Sequence, residues 1–258
     1  MLSLLKRPAP AHASDVFLFD DAQLQSVAQR YAAGYNTANP FPHAVIDDFL
    51  PTAAAERFLS VFPKPDAPFW FDWQQGDTKN QPKKQGLGHI RRLEGADPFI
   101  FSVLAAFNSY PMIHFLETLT GIDGLIPDPH YHGGGLHQIL PGGILKVHSD
   151  FNYLEKLKLY RKINVLVYLN KDWKDEYGGH IELWDKDMTH AVQKVLPIFN
   201  RCVIFNTDSY SYHGHPDPLS CPEGMTRKSI AFYYYTRDGR DEQLDPHSTL
   251  WQERPPEY

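Results

Sequence analysis

From residue 126 to residue 236 the sequence is a run of short segments rich in Ile, Val, Leu and Tyr. They are broken at Gly133-Gly134-Gly135, Pro141-Gly142-Gly143, Gly178-Gly179 and Pro216-Asp217-Pro218. Apolar segments of that length between turn-forming clusters read as strands, and a series of them reads as a β-sandwich or barrel. The clearest strands are 163–169 and 228–236. Aromatic residues make up 14% of the chain and suit a pleated, half-buried surface.

The first half of the chain has a different pattern. Asp20 or Asp21 can cap a helix running to about Ala33, with Leu24, Val27 and Tyr31 on one face. Residues 41–50 read as a short strand, and Pro51-Thr52 opens a helix toward Val61. Asp97-Pro98 starts a helix to about Asn108, and 110–119 suggests another. Residues 63–88 show no period and carry Lys79, Lys83 and Lys84, with Arg91-Arg92 following. The stretch reads as a solvated loop, or as a lid over a substrate site. The expected organisation is one catalytic domain over 1–258: a helical and strand support over 1–125, a β core over 126–238 and a C-terminal tail over 239–258.

With 258 residues, 42% of them hydrophobic, a sizeable core is available. A net charge of −6 argues against non-specific nucleic-acid binding. Cys202 and Cys221 are too few for a disulfide scaffold and suit a reducing compartment, so a cytoplasmic location is expected. The N-terminal run before Lys6 is too short for a secretory signal, and no apolar run reaches membrane-spanning length. No membrane partner is expected.

The chemistry is concentrated in His148-Ser149-Asp150. On a strand, residues i and i+2 face the same side, so this imidazole and this carboxylate can converge on one ion. A third ligand is available at His213 or His215. His213 is preferred, because it follows Tyr210-Ser211-Tyr212 and precedes Gly214, which lets the chain turn close to a metal. A second His-x-Asp, His215-Pro216-Asp217, is a poor candidate because Pro216 interrupts a strand ladder. Two imidazoles and a carboxylate on one face leave three positions open on iron(II). Arg227, two residues before Ser229, can grip the free carboxylate of a bidentate oxo acid. A structural zinc site would want four protein ligands, usually with Cys. Two other readings stay open: a zinc-dependent hydrolase, and a non-catalytic binding module with a structural metal.

The ordered elements resemble the iron(II)- and 2-oxoglutarate-dependent oxygenases, in particular the prolyl 4-hydroxylase-like branch. They are His148-Ser149-Asp150, Tyr168-Leu169-Asn170-Lys171-Asp172-Trp173, Gly178-Gly179-His180-Ile181-Glu182-Leu183-Trp184, Asn200-Arg201-Cys202-Val203-Ile204-Phe205, His213-Gly214 and Arg227-Lys228-Ser229, with the 41–50 segment matching an entry strand. The resemblance implies a mainly β, α+β fold: a double-stranded β-helix, or jelly roll, with flanking N-terminal helices. It implies Fe(II), 2-oxoglutarate and O2, with ascorbate as an optional reductant. The reaction would be hydroxylation of a C–H bond of an amino acid, a prolyl-type residue or a small metabolite, with release of succinate and CO2. His148, Asp150 and His213 would ligate iron. Arg227, Ser229 and Tyr168 would hold the cosubstrate, with Asn164 on the same strand face as Tyr168. Halogenating relatives replace the carboxylate at the Asp150 position with a small residue, so its presence favours hydroxylation. Where relatives often have a tyrosine before His-x-Asp, this chain offers Gln138. Arg161 and Lys146 would be either pocket-rim charges or solvated strand ends. Trp184 and the glycines before it read as structural. The substrate would be decided by residues 63–92 and the loop over 151–160.

Overall fold

The computed structural model describes residues 18–72, 79–88, 90–237 and 245–256. Helix α1 spans Asp21–Tyr35, with Asp20 as its N-cap, the carboxylate accepting from the Gln23 N–H at 2.9 Å. Leu24, Ala28 and Tyr35, spaced to share one face, are buried. Strand β1 (His43–Ile46) and helix α2 (Thr52–Ser60) follow, then β2 (Phe71–Asp72), β3 (Lys84–Leu87) and the short α3 (Ile90–Leu93). Helix α4 (Pro98–Phe107) is capped by Asp97, which accepts from Phe99 N–H at 2.8 Å. Helix α5 (Tyr110–Thr120) stops at Gly121, whose φ of 71° is the left-handed conformation that closes a helix. No single helix among the described residues is long and apolar enough to cross a membrane; the bent pair α4–α5 reaches the needed length and composition only jointly. The face of that pair carrying Ile100, Leu104, Phe107, Phe115 and Leu119 is buried.

The remaining strands are β4 (Ile126–Pro127), β5 (Gly135–Ile139), β6 (Leu145–Ser149), β7 (Tyr153–Leu154), β8 (Leu159–Tyr168), β9 (Ile181–Trp184), β10 (Ala191–Val195), β11 (Cys202–Asn206), β12 (His213–His215), β13 (Arg227–Thr236) and β14 (Leu250–Trp251). They form two antiparallel sheets. The larger runs β1-β11-β8-β13-β5-β3-β2, with β4 also on β13 and β7 also on β8; the smaller runs β10-β9-β12-β6-β14. Tyr168, Val203 and Phe205 of the larger sheet pack with Ile181, Leu183 and Val195 of the smaller, so the sheets face each other as a jelly roll. The fold is α+β with a double-stranded β-helix core.

Alternation along the two ten-residue strands assigns their faces. Ile163, Val165 and Val167 of β8 and Ile230, Phe232 and Tyr234 of β13 join the helices in one apolar cluster. Phe107 of α4 stacks on Phe232 with ring centroids 4.0 Å apart and planes 9° apart. Each fully buried aromatic of this kind contributes roughly 1.5–3 kcal/mol. The neighbours Asn164, Leu166, Tyr168, Arg227, Ser229 and Tyr233 point between the sheets and line a cavity.

Three expectations need correction. The stretch 63–88 is not all solvated loop: β3 extends the larger sheet beside β5, with Gln85, Gly86 and Leu87 buried. Burial on both faces erases the period-2 signal, which is why the strand left no trace in the sequence. The segment after 239 is not only a tail, because Leu250 and Trp251 pair with Ser149 and His148 of β6. The strand within 41–50 is confined to β1. Residues 1–14, expected as a loose tail, and the part of the supposed loop over 73–78 lie outside the described residues.

Candidate active site

Strand β6 delivers His148 and the chain leaves it at Asp150, while β12 lies antiparallel with His213 directly opposite His148. Gly214 makes the approach feasible: a Cβ there would sit 2.8 Å from the carbonyl oxygens of both Leu145 and Lys146. His148 Nε2 is 3.6 Å from Asp150 Oδ1, and His213 Nε2 is 3.4 Å from Asp150 Oδ2. One ligand atom from each of the three lies within 4.8 Å of the others, the one such cluster among the described residues.

The backbone fixes both imidazole tautomers. His148 Nδ1 is 2.8 Å from the Lys146 carbonyl and His213 Nδ1 is 2.9 Å from the Ser211 carbonyl. A carbonyl only accepts, so each Nδ1 carries a proton, which in the neutral ring leaves the Nε2 lone pair facing the cluster. Burial, then the neighbouring His148, brings His213 down to about 4, so it is neutral and ready to ligate at pH 7. Burial pushes the Asp150 carboxyl up, but Arg161, His213 and His148 together reverse this and hold it well below the usual carboxylate range. Its Oδ2 accepts from Arg161 at 2.9 Å and from Asn164 Nδ2 at 2.7 Å, leaving Oδ1 open. Two imidazole nitrogens and one oriented carboxylate fit an iron(II) facial triad. The cysteines do not supply a zinc set: Cys202 packs in the helix-facing cluster and Cys221 with Ile139, Trp173 and Leu219.

Behind the cluster, Arg161 is buried, not a solvated strand end. Its guanidinium lies 3.4 Å from the Tyr233 ring centroid and 4.6 Å from that of Phe151. Asn164 accepts from it at 2.6 and 2.9 Å, so the Asn164 side chain joins Arg161 to Asp150 at the metal end of the cavity. Trp251 of β14 covers the His148 ring at 4.8 Å, and Phe205 covers His213 at 4.7 Å. Lys146 is a strand-end charge, paired with exposed Glu253 at 2.8 Å.

The cluster opens into a cavity of about 80 Å³ whose lining includes Tyr168, Arg227 and Ser229. Buried Arg227 donates through Nε to the Gly179 carbonyl at 2.6 Å and through a terminal nitrogen to Tyr168 Oη at 3.2 Å. Burial raises the Tyr168 phenol despite Arg227 beside it, so it stays protonated. Gly179 therefore does more than bend the chain. Its φ is 72°, and a Cβ would stand 2.9 Å from Arg227 Cδ and 2.6 Å from Leu219 Cδ2. Asp150 is the one carboxylate lining this cavity, whereas Arg227 and Lys84 bring positive charge to it, a balance that fits a dianionic oxo acid.

Sequence reasoning missed His137, weighed His215 only as an alternative metal ligand and left Lys84 in the 63–88 stretch; all three are in the lining. Gln138 does not face the cavity: its amide donates to Gln85 at 2.7 Å and accepts from Thr226 at 3.0 Å, while its neighbours His137 and Ile139 turn inward. His137 also borders a second cavity of about 480 Å³ with Phe71, Gly133, Arg92 and Lys156 in its wall. His132 and Lys156 continue from there into a third, of about 620 Å³, beside Phe151, Tyr153 and His247. The segments expected to choose the substrate thus border cavities that share lining residues with one another and, through His137, with the cavity of the cluster.

Comparison with known proteins agrees with this geometry. The family model described as the 2OG-Fe(II) oxygenase superfamily matches residues 134–235. A curated relative, prolyl 3-hydroxylase OGFOD1 of Mus musculus, is 30% identical over 79 residues, which are 29% of this chain and 14% of that protein. The match thus spans about a seventh of that relative's length. Among solved structures, a prolyl hydroxylase from Trichoplax adhaerens, in complex with a hypoxia inducible factor oxygen degradation domain peptide, gives a TM-score of 0.57 at 16% identity, over 88% of this chain and 94% of that one. A prolyl 4-hydroxylase from Phytophthora capsici gives 0.53 at 19%, over 92% and 74%. HygX of Streptomyces hygroscopicus, with nickel and 2-oxoglutarate bound, gives 0.53 at 14%, over 81% and 87%. At these identities the likeness is one of fold.

Proposed function

Since residues 134–235 match the family model of the 2OG-Fe(II) oxygenase superfamily, we propose that the chain is an Fe(II)- and 2-oxoglutarate-dependent dioxygenase acting as one catalytic domain. It hydroxylates a C–H bond of an amino acid, a prolyl-type residue or a small metabolite, with release of succinate and CO2. The observation that carries this reading is a single cavity holding the His148–Asp150–His213 cluster and the buried guanidinium of Arg227.

His148 and His213 offer Nε2 to the iron and Asp150 offers Oδ1, each aimed by the hydrogen bond its other polar atom makes. When bound, iron(II) with 2-oxoglutarate supplies the oxidising power of dioxygen, the oxo acid being decarboxylated in the same cycle. Arg227 pairs with the distal carboxylate, and Tyr168 and Ser229 add hydroxyl donors beside it. Leu145, Leu166 and Ile181 complete a lining that restricts water around the reacting atoms. Substrate approaches through the cavity of about 480 Å³ and passes His137. The buried, unpaired Cys202 and Cys221 support work in a reducing compartment such as the cytoplasm.

The test is succinate formation by purified protein given a metabolite extract or a prolyl peptide. Succinate should require both Fe(II) and 2-oxoglutarate and should accompany a product one oxygen heavier by mass spectrometry. Zinc-supported turnover with no oxo acid would overturn the reading.

A further inference from the structure

His215 is buried at 2% exposure, and neither of its ring nitrogens makes a well-formed hydrogen bond, the Asp217 backbone being nearby but outside hydrogen-bond geometry. It is not a spare metal ligand: on β12 it lies opposite Leu145, whereas His213 lies opposite His148, with a register shift between them. It shares the small cavity with Arg227, Tyr168 and Ser229. Burial of an imidazole with both nitrogens unpaired is unfavourable, and an apolar residue would suit a strand facing the larger sheet better.

We propose that His215 is a further cosubstrate-binding residue, donating a hydrogen bond to the distal carboxylate of 2-oxoglutarate beside Arg227. A neutral imidazole carries one N–H whichever tautomer it adopts, so the donor is present without a change of charge. An acid lacking the distal carboxylate gains nothing from this N–H and leaves the imidazole unpaired. His215 therefore sharpens selection for dicarboxylates over monocarboxylates. This inference rests on the 2-oxoglutarate reading above.

Anaerobic calorimetry on the Fe(II)-loaded protein tests it, with 2-oxoglutarate and 2-oxobutyrate as probes. His215→Val should weaken 2-oxoglutarate binding about tenfold or more, the loss of one hydrogen bond to a charged group. Binding of 2-oxobutyrate and iron content should be unchanged. His215→Gln, which keeps an N–H donor, should recover most of the affinity. His215→Leu is the second apolar variant should His215→Val not fold. Wild-type affinity for 2-oxoglutarate in a folded apolar variant would overturn the proposal, as would equal weakening of both acids. If the wild-type protein bound neither acid, the 2-oxoglutarate reading itself would fall, and this inference with it.

Discussion

The two faces of β8 and β13 are made by alternate residues of the same strands, yet they do opposite work. The outer face, Ile163, Val165, Val167, Ile230, Phe232 and Tyr234, is closed under helices and is apolar except for the Tyr234 hydroxyl, which donates to the Phe107 carbonyl at 2.7 Å. The inner face sets Asn164, Tyr168, Arg227 and Ser229 around a cavity. Burial there serves position more than stability: Arg161, Asn164 and Asp150 hold one another at 2.6 to 2.9 Å, and removing any partner strands the rest. The difference teaches that the helix-facing side carries the fold and the inter-sheet side carries the chemistry.

That division can be broken by single substitutions. The largest expected effect is His148→Ala, which should reduce succinate release to the no-enzyme background while thermal unfolding changes little; retained turnover would contradict the metal assignment. Phe232→Ala on the outer face should do the reverse. It should cost about 3–5 kcal/mol in denaturant unfolding and leave the KM for 2-oxoglutarate of the folded fraction unchanged. Arg227→Ala should raise that KM about 30-fold or more, as expected for truncating one side of a buried charge pair, with iron content retained. A further effect is on acid stability of the metal-free protein. Burial, as the first cause, holds His137 and His215 well below the usual imidazole value and His213 at about 4. The unfolded chain takes up these protons below about pH 6.5 while the folded chain does not, so stability should fall from about pH 6.5 toward pH 4. The slope is at most about 1.4 kcal/mol per pH unit for each histidine. A melting temperature flat across that window would show these imidazoles titrating freely.

How much of this was legible in the sequence follows the same division. Apolar runs bounded by turn-forming clusters made β8 and β13 readable, and the i, i+2 spacing put His148 and Asp150 on one face. Asp20 and Asp97 mark helix starts because capping is local chemistry. What stayed hidden comes from contacts between distant segments. Lys84 reaches the cavity from a strand buried on both faces, and Trp251 reaches His148 from the C-terminal segment. Arg161 reads as an ordinary strand-end charge until the Tyr233 ring and Asp150 are placed around it. Gln138 turns away from the cavity because the face of β5 is set by its pairing with β3, which no local pattern reveals.

The most direct measurement is the visible spectrum of the anaerobic protein with Fe(II) as 2-oxoglutarate is added. A weak absorption band should grow to saturation with the wild-type protein and be absent when His148→Ala or zinc replaces the native centre. A wild-type spectrum that does not change on adding 2-oxoglutarate would contradict the claim that these side chains assemble a ferrous oxo-acid site.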